Sequence, residues 1–288
     1  MKLLILQTKN KTWPRLEPLF IKACQKYQVE LSQGELKEVR ISKKEKVQVF
    51  IGRKDLADFD LIYLRFIGSF LEEAHWVAEY SRQKNILFFD RVYLDGRDFD
   101  RKSFECLRLA GRGVAYPPSF IGQRPYLLEK APSLGFPLIL KKTEGRKAEG
   151  VYKVGTPESL KKLIGSYQKR ERLMVQKYID NDYYLRLTVV GGEVIGAIKR
   201  NKSMDGRQKI RSEKYQPTKE QAELAVKGAQ ALNLDIAGID MMIDKKDNHY
   251  ILEVNRSPQY RVFMEKTGIN LPEKIIEFFV KEFRKKNT

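Results

Sequence analysis

Histidine and cysteine are scarce in this sequence of 288 residues, which contains only His75, His249, Cys24 and Cys106. Two histidines argue against a multi-histidine metal site and against a hydrolase that uses a Ser-His-Asp triad. Two cysteines cannot form a disulfide framework, which fits a reducing compartment. Any bound metal would be held mostly by oxygen, and oxygen ligands favour hard ions such as magnesium.

Long apolar runs are also missing. The longest, such as Leu3–Leu6, are far shorter than the roughly 20 residues that span a bilayer. The same run is too short for a secretory signal, and no small-residue cleavage site follows it. We therefore expect a soluble, cytoplasmic protein with no membrane partner. Hydrophobic residues at 42% and charged residues at 32% allow a buried core and argue against disorder.

Acidic residues are outnumbered, since 55 lysines and arginines face 37 aspartates and glutamates, a formal net charge of +18. Residues 101–190 carry 18 of these basic side chains and 8 of the acidic ones, which is more than half of the excess. A positive field attracts phosphates, carboxylates and nucleic acid. Charge alone does not choose among these partners, and a merely solvated basic surface remains an alternative.

The first third of the chain alternates strand-like and helix-like segments, which favours a small α/β unit with a mostly parallel sheet. The length suggests one large or two modest domains, and we place a boundary near residue 95, at Leu94-Asp95-Gly96. The predicted strands of this unit are Lys2–Gln7, Lys46–Ile51, Asp60–Phe66 and Ile86–Phe89, and its predicted helices are Pro14–Gln25 and Ser69–Lys84.

The rest of the chain predicts a mixture of hairpins and helices. The dipeptide Gly191-Gly192 is typical of a tight turn between two strands. Predicted strands are Phe136–Lys142, Val151–Val154, Leu173–Ile179, Tyr184–Val190, Glu193–Lys199, Ile236–Ile243 and His249–Val254, and predicted helices are Asp100–Arg112, Pro157–Gly165, Lys219–Ala231 and Pro272–Phe283.

Three oxygen-bearing side chains interrupt the two apolar strands near the C-terminus. Glu253 and Asn255 alternate along one strand and therefore project from the same face. Folding the hairpin at residues 244–248 brings Asp240 of the preceding strand close to both. Buried carboxylates repel each other unless a cation or a proton lies between them. The pattern indicates a magnesium site, and the alternative is an ordinary salt-bridge pair at a sheet edge.

A lysine followed by a glycine-containing polar loop lies between two predicted strands. Lys141 ends an apolar strand, and Gly145 and Gly150 lie in the loop that follows it. Such a loop can fold over a phosphate and donate backbone N–H groups to it. Lys102 begins a predicted helix and, taken alone, is indistinguishable from a surface lysine.

Together these motifs resemble the ATP-grasp superfamily, specifically the RimK-like and glutathione-synthetase-like carboxylate–amine ligases, from about Arg101 to the C-terminus. The most specific match is Ala237-Gly-Ile-Asp240 with Glu253-Val-Asn255-Arg-Ser257-Pro258. The resemblance implies an ATP-grasp fold of α/β and α+β class. It implies an N-terminal α/β pre-ATP-grasp domain over 1–95 and an ATP-grasp domain over 96–288, with a lid subdomain at about 115–180 and a metal-binding subdomain at about 181–288 that clamp ATP.

The resemblance also implies a role for each matching side chain. Lys102 and Lys141 would neutralise the phosphates of ATP, and Arg186 and Arg200 would stabilise the oxyanion and the leaving phosphate. Asp240, Glu253 and Asn255 would bind Mg²⁺ or Mn²⁺, and Arg256 and Arg211 would bind substrate. The remaining nucleotide-binding positions would be Gly145, Gly150, Gln176, Lys177, Tyr178 and Ile179.

Three positions depart from the family pattern. Lys177 stands where the family usually has Glu, and Tyr184 stands where it has a ribose-contacting carboxylate. The loop after Arg200 offers no asparagine in the stretch Arg207–Glu213.

The function implied is an ATP- and magnesium-dependent ligase that makes an amide or peptide bond through an acyl phosphate. Its substrates would be ATP, an amino acid and an acidic acceptor, namely a peptide, a carrier protein or a polycarboxylate. One alternative is an ATP-grasp kinase for a polyanionic small molecule, and another is a degenerate nucleotide sensor. A third is a non-catalytic nucleic-acid-binding protein, which the basic stretch Lys199–Lys214 favours but which no zinc-finger spacing or RRM aromatic signature supports.

Overall fold

The computed structural model describes residues 1–9, 13–94, 102–144, 150–201 and 211–288. The helices are α1 Trp13–Lys26, α2 Leu71–Gln83, α3 Lys102–Gly111, α4 Arg124–Lys130, α5 Pro157–Ser166, α6 Lys219–Ala231, α7 Tyr260–Thr267 and α8 Leu271–Lys286. The strands are β1 Lys2–Gln7, β2 Glu30–Glu35, β3 Val39–Lys43, β4 Val47–Ile51, β5 Lys54–Asp55, β6 Leu61–Arg65, β7 Leu87–Phe89, β8 Ser119–Gly122, β9 Leu138–Lys142, β10 Val151–Val154, β11 Leu173–Lys177, β12 Tyr183–Val190, β13 Glu193–Asn201, β14 Ser212–Tyr215, β15 Ile236–Ile243 and β16 His249–Asn255. Among these described helices, none is long and apolar enough to cross a membrane.

The N-terminal sheet is parallel throughout, with strand order β2-β1-β6-β7. Its central strands are buried on both faces, because side chains alternate between two cores. Leu3 and Ile5 pack with α1 and α8, whereas Leu4 and Leu6 pack on the side of α2. The mostly parallel sheet expected from the sequence is therefore confirmed. A small antiparallel sheet, β3-β4-β5, is added beside it.

The middle sheet is antiparallel, with strand order β10-β9-β11-β8. Leu138, Leu140 and Val175 project from one face into a core with residues of α4 and α5. Thr156 begins α5 with a capping box, in which it and Ser159 bond each other's backbone N–H. On the opposite face of β9 and β11, Lys141 and Gln176 alternate with Ile139 and Met174, and the two polar side chains belong to the site described below.

The C-terminal sheet is also antiparallel, with strand order β14-β13-β12-β15-β16. Helix α6 supplies Ala225 and Ala229 to the core that contains β12 and β15. Helix α8 packs with β1 and α1 of the N-terminal region through Ile275, Ile276 and Phe279. The cores of residues 1–94 and of the C-terminal region are therefore shared, and the domain limits near residue 95 stay a prediction.

Most predicted elements agree with the structure to within a few residues at each end. The sequence patterns missed β2, β3, β5, β8, β14, α4 and α7. Strand β2 has the sequence Glu-Leu-Ser-Gln-Gly-Glu and lacks the apolar alternation expected of a strand. It forms because it pairs in parallel with the apolar β1 over its whole length.

Candidate active site

The two C-terminal strands bring the predicted metal ligands together. Asp240 lies directly opposite Glu253 in the β15–β16 pair, and a register shift follows Asp240. The Asn255 amide Nδ2 donates to Asp240 Oδ2 at 3.3 Å. The convergence of Asp240, Glu253 and Asn255 that the hairpin pattern predicts is therefore confirmed. Their role as metal ligands stays a prediction.

A partly buried arginine neutralises the middle of this cluster. Arg186 on β12 is paired in register with Asp240 and donates to both of its carboxylate oxygens at 2.6 Å, through Nε and NH2. This two-pronged geometry is the strongest form of an arginine–carboxylate pair. Burial raises the pKa of Asp240, although the Arg186 guanidinium opposes the shift.

Two lysines from other elements lie near the same cluster. Lys102, the first residue of α3, donates from Nζ to Glu253 Oε1 at 3.1 Å. Lys141, at the end of β9, is 7% exposed and donates to Gln176 Oε1 at 3.0 Å. Burial lowers the pKa of Lys141, and the nearby charge of Lys102 lowers it further. The role of Lys141 as a phosphate ligand stays a prediction.

Glu105 is a buried site residue that the sequence patterns missed. It lies on α3 at the i+3 position from Lys102, and its Oε1 accepts a hydrogen bond from the Val254 backbone N–H at 3.1 Å. Burial raises the pKa of Glu105, while the neighbouring Lys102 charge opposes the shift. Its carboxylate therefore ties α3 to the stretch of β16 between Glu253 and Asn255. Only its spacing from Lys102 could have indicated it.

The predicted nucleotide-binding segment Gln176–Ile179 lies at the end of β11. Gln176 holds Lys141 and also donates to Ser119 Oγ at 2.9 Å. Lys177 is exposed, and its backbone N–H donates to Pro118 O at 2.8 Å. The Lys153 ammonium lies 4.0 Å from the centre of the Tyr178 ring. The side chain of the next residue, Ile179, is buried.

The glycine loop is described only at its ends. Gly150 has a φ of +74°, which L side chains rarely adopt, and it lies beside the Lys142 side chain. Gly145 lies outside the described residues. Lys142 projects from the opposite face of β9 to Lys141 and pairs with Glu171.

The second predicted catalytic arginine occupies the neighbouring strand. Arg200 is 8% exposed and donates from NH1 to Gln259 Oε1 at 3.2 Å, while its Nε has no partner among the described residues. The Tyr184 ring lies 5.7 Å from the Arg200 guanidinium carbon and 5.9 Å from that of Arg186. Tyr184 therefore bridges the two arginines at the position where the family pattern has a carboxylate.

The two predicted substrate-binding arginines lie apart. Arg256 follows β16 and donates to the Tyr93 hydroxyl at 3.5 Å, with its guanidinium carbon 5.6 Å from that ring. Arg211 is exposed at the start of β14, next to the undescribed stretch 202–210. Arg256 directly follows Asn255 of the carboxylate cluster in the chain, while the described contacts do not tie Arg211 to that cluster.

The donor set at the carboxylate cluster fits magnesium. Within the described part of the chain, no group of three or more His, Cys, Asp or Glu side chains could hold a metal. Magnesium needs no such cage, since it keeps several waters and uses one or two carboxylates together with substrate phosphates. Asp240 and Glu253 would supply the carboxylates, and the Asn255 side chain would supply a neutral oxygen beside them.

A match to a protein-family profile assigns this chain to a family. The profile described as the RimK-like ATP-grasp domain matches residues 109–279, which is more than half of the chain. The chain belongs to this family. The resemblance inferred from the sequence motifs is therefore confirmed.

Curated relatives agree with this assignment. A "Probable alpha-L-glutamate ligase" of Legionella pneumophila (strain Corby) is 29% identical over 196 residues, covering 63% of this chain and 64% of the relative. A protein of the same description from Haemophilus influenzae (strain 86-028NP) is 26% identical over 235 residues, covering 77% of this chain and 76% of the relative. The chain matches slightly less than two thirds of the length of the Legionella relative.

Solved structures share the fold over nearly the whole chain. The ATP-grasp ligase PsnB in complex with minimal precursor, Mg and ADP superposes with a TM-score of 0.76 at 15% identity, over 98% of this chain and 97% of that one. D-alanine–D-alanine ligase from Bacillus anthracis in complex with ATP superposes with a TM-score of 0.68 at 18% identity, over 99% of both chains. The predicted ATP-grasp fold is therefore confirmed.

Proposed function

We propose that this protein is an ATP- and magnesium-dependent carboxylate–amine ligase that forms an amide bond through an acyl phosphate. The observation that carries the proposal is the contact of Lys102 with Glu253, at 3.1 Å. It joins a lysine positioned for phosphate to the carboxylate cluster positioned for metal. The buried Lys141 adds a second cation on the same cleft.

The phosphates of ATP need charge neutralisation and in-line positioning more than they need a general base. Lys102 and Lys141 would supply two cations, and Gln176 would orient Lys141 through the hydrogen bond that it already accepts. Bound magnesium would neutralise charge on the transferring phosphate. Asp240, Glu253 and Asn255 would hold it there.

Amide formation requires stabilisation of an oxyanion when the amine attacks the acyl carbon. Arg200 is suited to this role because its Nε has no partner among the described residues and its side chain is held by Gln259. Arg186 is already bonded to Asp240 through two oxygens, and it would act mainly by fixing that carboxylate. Of the two arginines, Arg200 is therefore better placed to meet the substrate.

We propose an acidic acceptor and an amino acid as the joined substrates. ATP with two magnesium ions is nearly neutral, so nucleotide alone does not account for the net charge of +18. Glutamate is the first amino acid to examine, because the matched relatives carry the description of alpha-L-glutamate ligases. An acidic peptide, a carrier protein or a polycarboxylate would complement the basic surface.

The test is incubation of the purified protein with ATP, Mg²⁺, mixtures of amino acids and acidic acceptors, with mass spectrometry of all products. Formation of ADP together with a new amide supports the proposal. A phosphorylated small molecule without an amide would replace it with the kinase alternative. Tight nucleotide binding without any turnover would favour the nucleotide sensor.

A further inference from the structure

Arg65 is a fully buried cation that has no counter-ion among the described residues. It ends β6, is 1% exposed and is the largest fully buried side chain in the described residues. No carboxylate in the described part of the chain lies within 4.0 Å of it. It donates a long hydrogen bond from NH1 to Gln7 Oε1 at 3.5 Å and a second one to the Tyr260 hydroxyl, and its Nε has no partner there.

Aromatic rings compensate for part of this buried charge. The Arg65 guanidinium carbon lies 4.2 Å from the centre of the Phe66 ring, 4.4 Å from that of Tyr260 and 5.6 Å from that of Trp13. A desolvated cation–π contact is stronger than one at an exposed site, but burying an ion is still costly. The Nε of the guanidinium fork lacks an acceptor among the described residues.

The buried carboxyl group in this neighbourhood does not complete the pairing. Asp90 interacts electrostatically with Tyr63 and Tyr260, the tyrosines that also interact with Arg65. Burial raises the pKa of Asp90 well above its usual range, and repulsion from Asp235 adds to the shift. Asp90 Oδ1 instead accepts a hydrogen bond from the Ile236 backbone N–H at 3.3 Å.

The position of Arg65 connects it to the candidate active site. It lies at the carboxyl end of a parallel strand, the edge at which α/β sheets bind ligands. Tyr260, which stacks on Arg65, directly follows Gln259, which holds Arg200. Two arginines with unpaired Nε atoms therefore flank the start of α7, Arg65 from the N-terminal sheet and Arg200 from the C-terminal sheet.

We propose that Arg65 binds a carboxylate of the amino-acid substrate, one that is not activated by ATP. This inference rests on the ligase function proposed above. A guanidinium matches a carboxylate through two parallel hydrogen bonds, which would occupy the donors that the protein leaves unused. The approach runs past Trp13 and Phe66, since these rings are half-buried whereas Tyr260 is fully buried.

The test compares glutamate with its two single amides, glutamine and isoglutamine, in each of which one carboxylate is neutral. We expect the wild type to prefer glutamate over one of these amides by about 10- to 100-fold in kcat/KM, as for a lost charge-assisted hydrogen bond. In Arg65→Met this preference should disappear, while the KM for ATP stays unchanged. Arg65→Lys should restore part of it, and Arg40→Met, at an exposed arginine of β3, should retain all of it.

Two further measurements keep the outcome decisive. Thermal unfolding and circular dichroism check that Arg65→Met folds. If no glutamate-dependent turnover is found, calorimetric binding of the same three ligands replaces the kinetic measurement. The absence of turnover would count against the proposed ligase function but not against the binding role of Arg65. The assignment would be overturned if folded Arg65→Met still preferred glutamate over its amides, or if the wild type showed no such preference. Arg65 would then be a structural residue.

Discussion

Two arginines, the partly buried Arg186 and the fully buried Arg65, lie in this protein under opposite electrostatic conditions. Arg186 meets Asp240 with two hydrogen bonds of 2.6 Å, so its charge is neutralised within the C-terminal sheet. Arg65 meets three rings, a distant amide and the Tyr260 hydroxyl, so its charge in the N-terminal sheet is left without an anion among the described residues. The charge of Arg186 is neutralised within the protein, whereas the charge of Arg65 is neutralised only when an anion is added.

The difference shows how burial alone fails to define a role. A buried pair is costly to break because the partner left behind is an uncompensated charge. A buried charge that has no partner instead needs a hydrogen-bonding or charged group from outside the protein, and such charges concentrate where ligands bind. We therefore expect the same substitution, Arg to Met, to change the stability of the protein by different amounts at the two positions.

The largest effect is expected at the carboxylate cluster that Arg186 helps to organise. Glu253→Gln keeps the shape of the side chain and removes its charge, and magnesium relies on carboxylate ligands. We expect ATP turnover to fall at least about 100-fold, as when electrostatic stabilisation is lost from an active site, with an unchanged circular dichroism spectrum. Steady-state ADP release measures this, with Glu265→Gln at an exposed position of α7 as the control. Turnover at the wild-type rate would show that the metal assignment is wrong.

Stability provides the next test of the comparison. Arg186→Met leaves Asp240 buried without its partner and should lower the free energy of unfolding by about 3 kcal/mol. Arg65→Met leaves no ionised partner behind. It should change the free energy of unfolding by less than about 1 kcal/mol, since an apolar side chain of similar length packs well among rings. Denaturant unfolding of both variants checks this. Equal losses would remove the distinction between the two arginines.

The carboxylate cluster was predictable because the information is local. Asp240, Glu253 and Asn255 lie on two strands joined by a short turn, and alternation along a strand assigns each side chain to a face. Lys141 was predictable for a similar reason, since it ends an apolar strand next to a glycine-containing loop. These residues needed only the period of the strand and the position of the turn.

The surroundings of Arg65 were not predictable because they depend on contacts between distant parts of the chain. Tyr260 lies on α7, which the sequence patterns missed, and it reaches Arg65 across the interface between two sheets. Glu105 was missed because its partner, the Val254 backbone N–H, belongs to a strand far along the chain. The type of a residue does not indicate which residue, distant in the sequence, will pack against it.

A smaller effect is expected from the lysine side of the cleft. Lys141→Ala removes one charge-assisted phosphate contact and should raise the KM for ATP by about 10- to 100-fold, equivalent to about 1.5–3 kcal/mol. Lys142→Ala is the matched control, because Lys142 projects from the other face of β9 and pairs with Glu171. Initial rates over a range of ATP concentrations measure both. A larger change in Lys142→Ala than in Lys141→Ala would reverse the assignment of the two lysines.

The smallest effect concerns the surface charge rather than the buried arginines. If the acceptor is acidic, acceptor-coupled turnover should fall several-fold as ionic strength rises past about 0.1 M, where the screening length is roughly 10 Å. Turnover of ATP without acceptor should change much less. A variant with Lys202, Arg207, Lys209 and Arg211 changed to Ser should show a weaker dependence on salt. A flat ratio of coupled to uncoupled turnover in both proteins would contradict the acidic acceptor.

The most direct test of the ligase function follows one oxygen atom. If the acceptor carboxylate attacks the γ-phosphorus of ATP, one of its oxygens leaves with inorganic phosphate when the amide forms. An acceptor labelled with ¹⁸O in its carboxylates should therefore give inorganic phosphate that carries one ¹⁸O atom per amide bond, as measured by mass spectrometry. Unlabelled phosphate alongside a new amide, or release of AMP and pyrophosphate, would contradict the acyl-phosphate route.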